Sequence, residues 1–162
     1  MEIQLKSDDQ RLYNRLYVSQ VDLSSATYCL DVIMKKGWHF APWEKRGSIY
    51  EQQTAFTTSF IVAYSRPFNT SRGWPKFPPG LMPFSPAESD LHRDIIERRN
   101  SIFAHSDSNN YSVRPWRAGG FATDILSAPI FRITADEGKA LRKMIGKLQL
   151  SISIKLKEMV PE

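Results

Sequence analysis

Residues 91–107, LHRDIIERRNSIFAHSD, gather the side chains best suited to chemistry: Arg98, Arg99, Asn100, His105 and Asp107. An imidazole with a pKa near ~6.5 exchanges protons around neutral pH. A guanidinium is always charged and forks onto phosphate or carboxylate oxygens. Wound as a helix at ~100° per residue from Leu91 at zero, the stretch puts Ile102 near ~20° and Ile95 near ~40°. Phe103 and Ile96 follow near ~120° and ~140°. Arg99 falls at ~80°, inside that apolar arc, and Arg98 and His105 share its edge. An isolated buried charge is very costly, so Arg99 must be paired, line a cavity or meet an interface. Geometry alone leaves two readings. One is a buried Arg–carboxylate pair beside a core histidine; the other is a functional departure from binary patterning.

The helix that carries these residues has a local start signal. Ser85 can cap it, Pro86 suits its first position, and Glu88 completes a capping box. It is expected to reach about residues 104–106, before a turn at 107–110. Leu12, Leu16, Leu23, Ala26, Leu30 and Ile33 predict a first helix over 12–36, stopped at Gly37. A second is predicted between Pro42 and Arg66 on Ile49, Phe56, Phe60, Ala63 and Tyr64, ended by Pro67. Thr134-Ala135-Asp136-Glu137 is another capping box, ahead of a stripe of Leu141, Ile145, Leu148, Ile152 and Leu156. Lys139, Lys143 and Lys147 run beside that stripe, as a solvated face or a nucleic-acid contact.

Residues 67–86 hold six of the ten prolines, interleaved with Phe68, Trp74, Phe77 and Phe84. Such a loop either wraps over a core or rims a groove. Residues 111–133 read as short extended segments, 111–114 and 130–133, with Gly119-Gly120 between them and a hairpin as one way to join them. The expected fold class is all-α. It is an antiparallel bundle of about four main helices, with a Pro-rich crossing loop and a small extended insertion before the last helix.

Composition narrows the function classes. A chain of 162 residues, 41% apolar and 24% charged, suits one domain spanning residues 1–162 and excludes disorder or low complexity. Its longest apolar run, residues 60–64, is far short of the ~20 residues of a membrane span. The start, MEIQLKSDDQ, lacks the pattern of a signal peptide, so a cytoplasmic location is expected. Cys29 is the lone cysteine and there are three histidines, with no HExxH or CxxC. No metal or other cofactor is expected. No P-loop, dinucleotide fingerprint or Ser–His–Asp order occurs. The charge of +5 is compatible with a polyanionic partner such as RNA.

Residues 98–107, RRNSIFAHSD, resemble the signature of the HEPN superfamily: an arginine, a polar residue, then a histidine after four to six intervening positions. Here these are Arg99, Asn100 and His105, with Ala104 directly before the histidine. The string is similar to that of abortive-infection-type HEPN domains, as is Tyr64-Ser65-Arg66-Pro67-Phe68. The resemblance implies a helical domain that pairs as a homodimer, with two Arg–His motifs in one composite cleft. It implies a metal-independent endoribonuclease, a toxin or phage-defence effector that is countered by an antitoxin or other regulatory protein. The alternative within the same family is a non-catalytic nucleotide- or partner-binding module. A third reading is a purely structural helical protein with Arg99 paired internally.

The residue types suit that chemistry. His105 would serve as acid and base, Arg99 as the phosphate contact and Asn100 as a positioning group. Six residues of helix rise about 9 Å and separate Arg99 from His105 around the axis, so a two-fold dimer is the simpler way to unite them. Arg98 and Arg66 are further candidates for substrate binding, although a charge at a helix C-terminus explains Arg66 as well. Asp107 can fix a tautomer of His105 or cap the turn. His39 is expected to pack or bond locally, and His92 to be exposed.

Overall fold

The computed structural model describes residues 5–45, 47–100 and 111–160. The chain is mainly α-helical, with one two-stranded antiparallel sheet before the last helix. Helix α1, Ser7–Lys36, starts a turn earlier than its apolar stripe, because Asp8 and Asp9 suit the positive N-terminal end. It stops as expected at Gly37, whose φ of 63° is left-handed. There Trp38 N–H reaches Ile33 O at 3.0 Å and Gly37 N–H reaches Met34 O at 3.2 Å, closing a Schellman motif.

Helix α2, Ser48–Ser65, begins later than Pro42 and leaves Ile49 exposed. It passes directly into a 3₁₀ turn at Arg66–Phe68 that contains Pro67. Its buried Gln53 is fully used: it accepts from Phe40 N–H at 2.9 Å and donates to the carbonyls of Phe40 and Phe131, both at 2.8 Å.

Helix α3, Pro86–Arg98, has the expected capping box of Ser85 and Glu88. Arg99 keeps a helical backbone beyond it, at φ −58° and ψ −45°. The expected continuation to 104–106 and the turn at 107–110 lie outside the described residues. The capping box of helix α4, Ala135–Met159, is also present, and its stripe of Leu141, Ile145, Leu148 and Ile152 is fully buried.

Glu88, in the first turn of α3, accepts from Lys147 of α4 at 2.7 Å. Glu137, in the first turn of α4, accepts from Arg98 of α3 at 2.9 Å. The two helices therefore run antiparallel, and each capping-box glutamate reaches the other helix. Helices α1 and α4 are also antiparallel, since Gln20 bonds to Ser153 at 2.8 Å and Asp31 to Arg142 at 2.9 Å. They approach closely at Gly138, where a Cβ would collide with Met34 Sδ.

The Pro-rich segment packs on the body through Phe68, Phe77 and Phe84, while Trp74 stays 38% exposed. The extended insertion differs from expectation in its second strand. Strands β1, Ser112–Ala118, and β2, Phe121–Ser127, flank Gly119-Gly120 directly. Both glycines have positive φ, 54° and 79°, as a two-residue hairpin turn requires. That turn fixes the pairing of Ala118 with Phe121 and of Ser112 with Ser127. Residues 130–133 are not a strand but an anchor, with Ile133 fully buried in the core.

Candidate functional site

Helix α1, the end of α2 and the end of α3 converge on an open cleft of about 530 Å³. Three arginines line it: Arg15 and Arg66, and Arg99 from beyond the last turn of α3. Asp22 supplies the carboxylate, and Asn69, Thr70, Ser71 and Trp74 come from the loop after the 3₁₀ turn.

Arg15 is structural in its bonding. Its Nη2 donates to the carbonyls of Arg66, Pro67 and Asn69 at 3.3, 2.6 and 2.9 Å. These carbonyls follow the end of α2, where backbone acceptors lack helical donors. Burial lowers the Arg15 pKa and Asp22 raises it; a guanidinium stays charged under both. Its Nε is buried without a partner among the described residues. The guanidinium carbon also lies 5.8 Å from the ring centre of Trp74.

Arg66 differs. Its side chain is 60% exposed and makes one contact of 3.2 Å with Asp22, itself 15% exposed. Arg99 is half-buried, and its Nη1 donates to Asn100 Oδ1 at 3.0 Å. It meets no carboxylate within ion-pair distance among the described residues. Among the described residues that line the cleft, three guanidiniums thus meet one carboxylate, an arrangement suited to an anion with several oxygens.

Comparison with known protein families, characterised proteins and solved structures returns no match.

Of the residues singled out in sequence, Arg66 and Arg99 line this cleft, with Asn100 hydrogen-bonded to Arg99. Arg98 does not join them. It pairs with Asp94 at 2.6 Å and Glu137 at 2.9 Å, and so ties α3 to α4. His105 and Asp107 lie outside the described residues. His39 bonds through Nδ1 to Ile133 O at 2.8 Å, a partner 94 positions away rather than a local one.

His92 is a correction: it is half-buried, not exposed. Its Nδ1 and Tyr64 Oη share a hydrogen bond of 2.9 Å, and Phe68 meets its ring edge-on at 4.6 Å between centres. Burial lowers the His92 pKa and raises that of Tyr64. This ring cluster supports the turn at Arg66–Phe68, and so the floor of the cleft. Lys139 and Lys147 are paired with Asp136 and Glu88, which weakens the lysine row as a contact stripe.

Arg15 and Asp22 were missed in the sequence, whereas Trp74 belongs to the Pro-rich segment read there as a wrap over the core or the rim of a groove. Arg15 had a readable signal, since it stands about five turns from Ile33 and so shares the buried face of α1. Among the described residues no group of three or more His, Cys, Asp or Glu is placed to hold a metal ion. No helix among them is long and apolar enough to cross a membrane.

Proposed function

We propose that this chain is a HEPN-type endoribonuclease that works as a homodimer of helical bundles and needs no metal ion. The observation that carries the reading is Arg99. It lies on an open basic cleft with Arg66, and no carboxylate engages it among the described residues. The structural reading required such a carboxylate. Arg99 is then the cation that a phosphodiester meets, with Arg66 exchanging Asp22 for a phosphate oxygen.

In the proposed reaction His105 takes the proton of a ribose 2′-OH as its oxygen attacks phosphorus. The P–O5′ bond breaks to leave a 2′,3′-cyclic phosphate, and the 5′ oxygen leaves as a hydroxyl with the proton that His105 took up. Arg99 offsets the charge on the pentacoordinate phosphorus, and Asn100 holds Arg99 in place. Two-fold pairing would supply Arg99 of one protomer beside His105 of its partner. A toxin or phage-defence role, held in check by an antitoxin, fits an RNase of this kind.

The test is incubation of the purified protein with mixed RNA in excess EDTA. Cleavage is expected to persist under chelation and to fall by roughly 10²–10⁴-fold in His105→Ala. RNA binding by that variant should stay close to wild type, whereas Arg99→Ala should impair both binding and cleavage. A folded His105→Ala protein that cleaves at the wild-type rate would rule out the assignment. RNA binding without cleavage by the wild type would favour the non-catalytic module.

A further inference from the structure

A second, more apolar hollow of about 350 Å³ adjoins the arginine cleft and shares Val18 and Trp74 with it. Its other walls are Tyr13, Asn14 and Tyr17 of α1. Tyr17 is 58% exposed and Trp74 38%, so two large rings beside three guanidiniums stand open to solvent. Water-exposed rings of this size gain by being covered.

The shelf is built rather than incidental. Arg11 Nη2 donates to Gly73 O at 3.0 Å, directly before Trp74, and Trp74 N–H closes a turn onto Ser71 O at 3.2 Å. Arg15 holds the start of the same loop through Asn69 O and lies against the Trp74 ring. The indole is therefore fixed before any ligand arrives, which lowers the cost of binding.

We infer that Trp74 and Tyr17 form a stacking shelf for a base of single-stranded RNA whose phosphate sits among Arg66 and Arg99. This rests on the ribonuclease reading and names its substrate class. A nucleic-acid strand alternates anionic and flat apolar parts, and the protein places a cationic cleft and an aromatic hollow side by side. In a duplex the base faces are covered by their neighbours, so only an unpaired strand can use the shelf. Stacking is tolerant of base identity, because every base has a π-face.

The test compares two short 2′-O-methyl RNA strands, which resist cleavage: one with bases, one abasic, with equal numbers of phosphates. Titration by fluorescence anisotropy should show the base-bearing strand binding roughly 5- to 100-fold tighter. Trp74→Ala should remove most of that preference and Trp74→Phe should keep most of it. Tyr17→Ala, at an exposed position, should remove part and secures the test if Trp74→Ala fails to fold. The salt dependence of binding should stay unchanged in all three, since no phosphate contact is lost.

Equal affinity for both strands, with steep salt dependence, would overturn the shelf and leave the arginine cleft standing. Failure of both strands to bind would overturn the ribonuclease reading with it. A change of mass in light scattering with base preference intact would assign these rings to a protein contact instead.

Discussion

Arg15, Arg66 and Arg99 share one cleft but stand in three electrostatic situations. Arg15 spends one nitrogen on three carbonyls, the exposed Arg66 meets one half-buried carboxylate, and Arg99 has a neutral amide. Substitutions should separate them. Arg15→Lys keeps the charge but loses the planar fork that reaches those carbonyls, and hydrogen bonds to charged groups contribute about 1.5–3 kcal/mol each. A loss of at least about 2 kcal/mol in urea denaturation is expected. Arg66→Ala breaks a pair whose arginine is mostly exposed and should cost about 1 kcal/mol, less than Arg15→Lys, while weakening RNA binding. Equal stability losses from the two would show that Arg15 does not hold the turn. Arg15 was hard to single out in the sequence because its partners lie 51 to 54 positions away. Arg99 stood out because the apolar residues that make it anomalous lie within eight positions of it in the sequence.

Helices α3 and α4 are joined by two reciprocal clamps, Glu88 with Lys147 and Glu137 with Arg98. Lys147 beside Glu88, with the Ser85 backbone, holds that carboxyl below the usual range. Burial pushes Glu137 up, but its bonds to Thr134 and Arg98 outweigh that and leave it lowered. A carboxylate depressed in the folded state binds fewer protons than in the unfolded chain. Its stabilisation is therefore complete above the ordinary value, about 4.3, and is lost as pH falls through the folded value. Urea denaturation between about pH 7 and pH 3 should show this fall. Glu88→Gln and Glu137→Gln keep the capping-box shape, should each cost under about 1 kcal/mol at pH 7, and should flatten the acid slope. An unchanged slope in both variants would put the acid sensitivity elsewhere. Both helix starts were legible because a capping box is a four-residue signal. The cross-helix half of each glutamate's role was not, because it depends on which helix lies alongside. The same holds for the ribbon: Gly119-Gly120 was visible, but the pairing follows only once the turn is known to join its strands directly.

At the scale of the whole molecule, the core belongs to the four helices and the segments tied to them. Every residue of β1 and β2 is exposed, among them Val113, Trp116, Phe121 and Leu126. A two-stranded ribbon without a covered face has little stability of its own. Replacing residues 112–127 with a short Gly-Ser link should therefore leave the helical circular dichroism intact and change unfolding free energy by at most about 1 kcal/mol. A larger loss would mean that the hollow where Leu126 and Ser127 meet Tyr50 contributes to the core. The pairing of Ser112 with Ser127 has a consequence for engineering. Partners across antiparallel strands stand about 5 Å apart, so the ribbon begins and ends one strand spacing apart. The tip at Gly119-Gly120 is thus a port where a reporter domain can be spliced in, with both of its ends served by the same narrow stalk and the cleft of Arg66 and Arg99 untouched.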